Sequence, residues 1–152
     1  MCIVIINGDS HITSPKTPYY NSFAWAVNDQ ERWWFPDGFE TEYWPAGVAR
    51  ENTLSAFIDA YMTELFEVCP IGDPNLEFSP NGFFVEKIAI YTINGSPSHA
   101  CRQLNTGRWT SKIGVREDVR HEFVEHFIVE IEGIPDILNL GNRSIIMRRI
   151  HH

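Results

Sequence analysis

Cysteine, long apolar runs and positive charge are all scarce in this sequence, and each shortage removes a class of function. Cys2, Cys69 and Cys101 are too few and too scattered for a disulfide framework. With no CxxC or HxxxH spacing, a structural zinc site is not expected, and neither metal nor cofactor is assigned. Each cysteine reads as a small buried apolar residue. No segment approaches the ~20 apolar residues of a membrane span, so no membrane partner is expected. The opening "MCIVIINGD" has neither the basic start nor the long apolar run of a signal peptide. That reading places the protein in the cytoplasm, or outside the cell by a route without such a signal. Lysine and arginine total 12 against 20 acidic residues, a net charge of -8. Such a chain repels phosphate backbones, which argues against nucleic acid as a partner. His151 and His152, a pair of the kind a purification tag leaves, are given no function, and His11 and His126 carry no signal.

What is present suits one domain over residues 1–152, with 43% hydrophobic residues and no repeat. "CIVIIN" (2–7) reads as a strand, and residues 10–20 as loop. Residues 22–29 read as a short helix entered through Asn21 or Ser22. "ERWWFPDG" and "YWPAG" form an aromatic loop broken by turn residues. From Thr53 to Phe66, Leu54, Phe57, Ile58, Tyr61, Met62 and Leu65 recur at helical spacing, with Asn52 or Thr53 as cap. A β-meander follows over 85–93, 98–104 and 108–114, its last two strands joined at Asn105-Thr106-Gly107. Val115, Val119, Phe123 and Phe127 recur every four residues and predict a further helix. Residues 132–142 read as loop and 144–150 as a last strand. Helices before an antiparallel sheet make this an α+β domain.

Two polar residues raise a chemical question. Ser22 opens the helix of "YYNSFAWAV", and His99 opens a strand well downstream. A nucleophile with a nearby imidazole can attack a carbonyl, the ring taking a proton and returning it to the leaving group. Taken alone, a serine there is an N-cap worth about 1 kcal/mol.

Here a resemblance enters. "YNSFAWAV" resembles the nucleophile segment of NlpC/P60-type and broader papain-like cysteine peptidases, in which Tyr-Asp-Cys starts a helix. "HACRQLNTGRWTSKIG" resembles their second motif, with its strand-opening His. A smaller bacterial group with the pattern "YNCxAWA … YWP … EKIAIY … HAARQL … GxWTSKLG … H" is also similar over most of residues 19–121. The resemblance implies a papain-like (NlpC/P60-like) fold, with N-terminal helices packed on an antiparallel sheet. It implies a hydrolase or amidase acting on an amide of a protein or peptide, by hydrolysis, deamidation or acyl transfer. Ser22 takes the place of the nucleophilic cysteine, so little activity is expected. That serine reads either as an engineered replacement or as native to a pseudoenzyme or serine-type enzyme.

The remaining assignments follow. A three-residue hairpin loop sets Gln103 opposite Trp109 and Cys101 opposite Ser111, which places His99, Ser111 and Trp109 on one face. Ser111 is the first choice to orient His99, and Gln103 the second. Lys112, on the other face, reads as an exposed strand lysine. The resemblance implies a cleft role for His121, expected on the helix after the meander, and an oxyanion role for Tyr20 beside Asn21. Trp33, Trp34, Phe35, Tyr43 and Trp44 line a cleft, bind a partner protein, or cover the core. A protein-binding module with an inactive site, or a toxin-associated domain, is the alternative to an enzyme.

Overall fold

The computed structural model describes residues 3–6, 17–69, 71–113, 118–131 and 135–150. Strands dominate it. In chain order they are β1 (Ile3–Ile6), β2 (Glu67–Val68), β3 (Glu86–Ile93), β4 (Ser96–Gln103), β5 (Trp109–Lys112), β6 (Asp118–His121), β7 (His126–Ile131) and β8 (Leu138–Arg149). The helices are α1 (Ser22–Trp25) and α2 (Leu54–Met62), of four and nine residues. All strands join one sheet of order β1-β7-β8-β3-β4-β5-β6, with β2 added beside β8. Every pairing is antiparallel except β1 with β7.

The expected α+β, papain-like arrangement is therefore corrected to a mostly antiparallel β fold with two short helices. Its cause lies between residues 118 and 131. A spacing of four reads as helical, yet four is also a multiple of the strand period of two, so the same residues can share one strand face. Val119 and Phe127 do so from β6 and β7, and both are fully buried. Val115 lies outside the described residues. The stretch read as loop to residue 142 is also corrected, because β8 begins at Leu138. Gly141 and two asparagines give it a loop-like composition, and pairing with β7 overrides that.

Strand alternation sorts the core into two clusters, one on each face of the sheet. Ile88, Ile90, Ala100 and Met147 pack with α1, α2 and the aromatic loops. Ala89, Tyr91, Cys101, Trp109, Val119, Phe127, Val129 and Ile146 pack on the opposite face. The second face is concave. Strands β6 and β7 are five steps apart along the sheet, about 24 Å if it were flat. Yet the rings of His121 on β6 and Phe127 on β7 lie 5.0 Å apart. The sheet must roll over on itself to bring them together.

The helical layer is anchored on the convex face by hydrogen bonds from aromatic side chains. Tyr61 of α2 donates its hydroxyl hydrogen to the Phe23 carbonyl at 2.9 Å. Trp25 of α1 donates its indole N–H to Thr110 Oγ1 at 3.2 Å. Thr53, not Asn52, caps α2, its Oγ1 accepting from the Ala56 N–H. The helix stops at Met62, short of the expected Phe66, and Leu65 takes a left-handed φ of 71°. Met62 and Leu65, expected on the buried face, are exposed. Cys69 and Cys101 are free and buried, and Cys2 lies outside the described residues. Among the described residues, no helix is long and apolar enough to cross a membrane.

The meander follows its sequence signals in part, for β4 begins at Ser96 and not at Ser98, so His99 lies inside the strand and does not open it. Asn94 and Gly95 both take positive φ, as a two-residue hairpin between β3 and β4 requires. Gln103 pairs with Trp109 as the three-residue loop predicts, and Leu104 N–H donates to the Arg108 carbonyl across that loop.

Gly141 marks a close approach within the sheet. Its φ is +105°, and an added Cβ would sit 2.5 Å from both Ser98 Oγ and the Thr92 carbonyl oxygen. Gly141→Ala is therefore expected to destabilise the protein by about 3 kcal/mol, through backbone strain and overpacking together. A urea titration checks this, and an unchanged midpoint would contradict the packing described.

Candidate functional site

The geometry at the start of α1 separates capping from chemistry. Asn21 is the N-cap, its Oδ1 accepting from the Ala24 N–H at 3.0 Å. The same oxygen accepts from the Trp34 N–H at 3.1 Å, while Nδ2 donates to the Trp34 carbonyl at 2.7 Å. One buried amide thus starts the helix and ties it to the aromatic loop. Ser22 is the first helical residue, so its hydroxyl is not the capping group.

Ser22 and His99 line one cavity of about 330 Å³ at the end of the sheet, with Asn21, Phe23, Trp33, Phe35, Ser98 and Leu140. Its walls are largely aromatic and carry no acidic or basic side chain other than His99. Ser98 and Leu140 complete it from β4 and β8, the two neighbours of β3. Neither was visible as a site residue in the sequence, since Leu140 fell in a stretch read as loop.

His99 sits at the junction of cavity and concave core. Its ring is tilted against Phe127 at 4.5 Å and Tyr91 at 5.8 Å. Its Nε2 lies 3.0 Å from Ser111 Oγ. Ser111 Oγ is in turn 2.8 Å from His121 Nε2, and His121 Nδ1 is 2.7 Å from the Glu122 carbonyl oxygen. His99, Ser111 and His121 are all buried. Burial, then the neighbouring His121, pushes the His99 imidazole down to about 3. It is neutral across the physiological range. Cys101, beside it on the same face, is pushed up to about 12 by burial and is an unreactive thiol.

Other expected site residues have separate duties. His121 stands on β6 and not on a helix, and the register that pairs Trp109 with His121 turns it toward Ser111. Gln103 is held elsewhere, its Nε2 donating to the Pro74 and Gly107 carbonyls. Tyr20 donates its hydroxyl hydrogen to Asp118 Oδ2 at 2.6 Å, so that hydrogen is committed away from an oxyanion. Lys112 is fully buried rather than exposed, donating to the Thr17 carbonyl and lying 5.2 Å from the Tyr20 ring centroid.

The tryptophans divide in the same way. Trp33 lines the cavity. Trp34 is buried, with its indole N–H on Asp29, and Trp44 is buried, with its indole N–H on the Ala49 carbonyl. Trp109 belongs to the concave core. Among the described residues, no group of three or more His, Cys, Asp or Glu side chains is placed to hold a metal ion.

Comparison with known families bears on these positions. Residues 11–133 match the family described as a domain of unknown function, DUF7689. The chain belongs to the DUF7689 family. No curated protein and no solved structure matches the chain. The DUF7689 match takes in Ser22, His99, Ser111 and His121 and stops before β8, which supplies Leu140 to the cavity wall.

The depressed His99 value has a consequence for stability. An unfolded histidine takes up a proton near pH 6.5, whereas folded His99 does so only near 3. Between these values the unfolded state binds the extra proton, so the stability contribution is complete above about 6.5 and is lost as pH falls. The expected slope is about 1 kcal/mol per pH unit over that window. Urea unfolding of the parent and of His99→Asn, compared at several pH values, should show a shallower acid slope for the variant. Equal slopes would mean that His99 is not held neutral.

Proposed function

We propose that the cavity is an acyl-transfer centre acting on an amide of a protein or peptide. Ser22 Oγ attacks the carbonyl carbon. The His99 nitrogen not bonded to Ser111 takes the hydroxyl proton and passes it to the leaving amine. Water then attacks the acyl-serine and releases the acid, with the same ring moving the proton. The observation that carries this reading is that Ser22 and His99, far apart in sequence, line one cavity while Ser111 holds the other side of the His99 ring. The resemblance of "YNSFAWAV" to a cysteine-peptidase nucleophile segment supports it.

The pair is a slow one as it stands. A hydroxyl keeps its proton at neutral pH, and an imidazole as weakly basic as buried His99 draws it off poorly. A thiol at the same position ionises far more readily. The cavity walls Phe23, Trp33, Phe35 and Leu140 favour a substrate that presents an uncharged apolar side chain beside the amide. The free cysteines Cys69 and Cys101 fit a cytoplasmic setting.

A second reading, a binding module with an inactive site, is favoured by one feature. The His99 ring packs with Tyr91 and Phe127 on the face away from α1, so the two polar groups meet only across the cavity. In that case the aromatic walls hold an apolar side chain of a partner protein and no bond is broken.

Thiol labelling separates the two. Ser22→Cys should react with iodoacetamide at neutral pH faster than an ordinary thiol with a midpoint of about 8.5, because the neutral His99 ring accepts the proton as the S–C bond forms, and adding His99→Ala should abolish that excess rate. The parent chain controls for its own cysteines. An ordinary rate for the introduced thiol would overturn the enzyme reading in favour of the binding module.

A further inference from the structure

We infer that the Glu122 main-chain carbonyl, acting through His121 and Ser111, selects the tautomer of His99 that leaves Nδ1 as a bare lone pair. His121 is thereby a positioning residue, and its catalytic consequence rests on the enzyme reading above.

The argument starts at the end of the chain of bonds farthest from the cavity. A carbonyl oxygen can only accept, so the 2.7 Å contact with Glu122 puts a hydrogen on His121 Nδ1. If that ring carries no second proton, Nε2 is then an acceptor, and the hydrogen in its 2.8 Å contact comes from Ser111. A serine hydroxyl has one hydrogen. With that hydrogen committed to His121, Ser111 Oγ accepts in its 3.0 Å contact with His99 Nε2. His99 Nε2 therefore carries the hydrogen, and Nδ1 of this neutral ring has none. In the opposite arrangement Ser111 would donate to His99, and two lone pairs would face each other between Ser111 and His121. Only a second proton on His121 relieves that clash.

Sheet geometry makes the arrangement rigid. Ser111 pairs with Val119 and Trp109 with His121, so Ser111 and His121 are diagonal neighbours on adjacent strands. Extending the Gln103–Trp109 and Arg102–Thr110 pairs places Cys101 opposite Ser111, so His99 is the matching diagonal neighbour on the other side. Phe127 touches both imidazoles, its ring 4.5 Å from His99 and 5.0 Å from His121. All three polar side chains are at most 4% exposed, which limits competition from bulk water.

Long-range ¹⁵N–¹H spectra of the full chain, labelled at histidine and recorded near neutral pH, report tautomers directly. His99→Asn and His121→Gln spectra assign the two rings. The expected result is a hydrogen on Nε2 of His99 and on Nδ1 of His121. In His121→Phe, which offers Ser111 no acceptor, His99 should shift toward the Nδ1–H form. In His121→Gln, whose side-chain oxygen can accept, it should stay as in the parent. A hydrogen on His99 Nδ1 in the unaltered chain, assigned from the His99→Asn spectrum, overturns the inference whether or not the His121 variants fold.

Labelling of the Ser22→Cys thiol gives the catalytic half separately. Adding His121→Phe should slow that thiol's reaction at neutral pH, and adding His121→Gln should not. The expected tautomers together with an ordinary Ser22→Cys rate would uphold the proton chain and remove only the enzyme reading.

Discussion

Phe127 lies edge-on to His121 and tilted against His99, with ring centroids 5.0 and 4.5 Å away. This contact joins β7 to β6 and β4, strands that a flat sheet would hold far apart. It exists because the sheet rolls, and the roll turns one of its faces into an enclosed core. Without it Ser111 and His121 would stand on an open face, where water competes for their hydrogen bonds. The neutral state of His99 would then lose its largest cause, which is burial. The polar chain through His99, Ser111 and His121 is thus a product of sheet curvature before it is a product of particular side chains.

The convex face has a different task. There α1, α2 and the loop containing Trp34 and Trp44 cover Ile88, Ile90, Ala100 and Met147. Asn21 connects this layer, with one amide serving both the helix start and the Trp34 backbone. Its effect on chemistry is indirect. With the cap taken by Asn21, the Ser22 hydroxyl lines the cavity and makes no hydrogen bond among the described residues. Two cores on opposite faces of one sheet therefore meet at the end where β4 begins, and the candidate site occupies that junction.

Much of the meander was legible in the residues. A turn after residue 93 was legible, although Ser96 and Pro97, read as outside the strand, open β4; the Asn-Thr-Gly loop sets the register that brings Ser111 beside His99. Those are local signals, acting over a few residues, and local backbone preferences decide them. The fold class was not legible. Val119, Phe123 and Phe127 fit either period, and the difference between helix and strand there is made by pairing with β5 and β8. Lys112 was misplaced for a related reason. Its four-carbon stem can be buried beside Tyr20 once its ammonium group meets the Thr17 carbonyl, a partner distant in sequence.

By itself, the sequence determined the three-residue hairpin loop at Asn105-Thr106-Gly107, the register between β4 and β5, and the alternation that puts His99 and Ser111 on one face; it left the cap open between Asn21 and Ser22, and the structure gives it to Asn21. These depend on backbone dihedrals and on the period of two, which neighbouring residues impose. Tertiary structure alone decided the roll of the sheet, the company of Phe127 and His121, and the part played by the Glu122 carbonyl. A main-chain oxygen is present at every residue and carries no sequence signal. Only the folded chain decides which imidazole it meets, and hence which nitrogen of His99 is left bare.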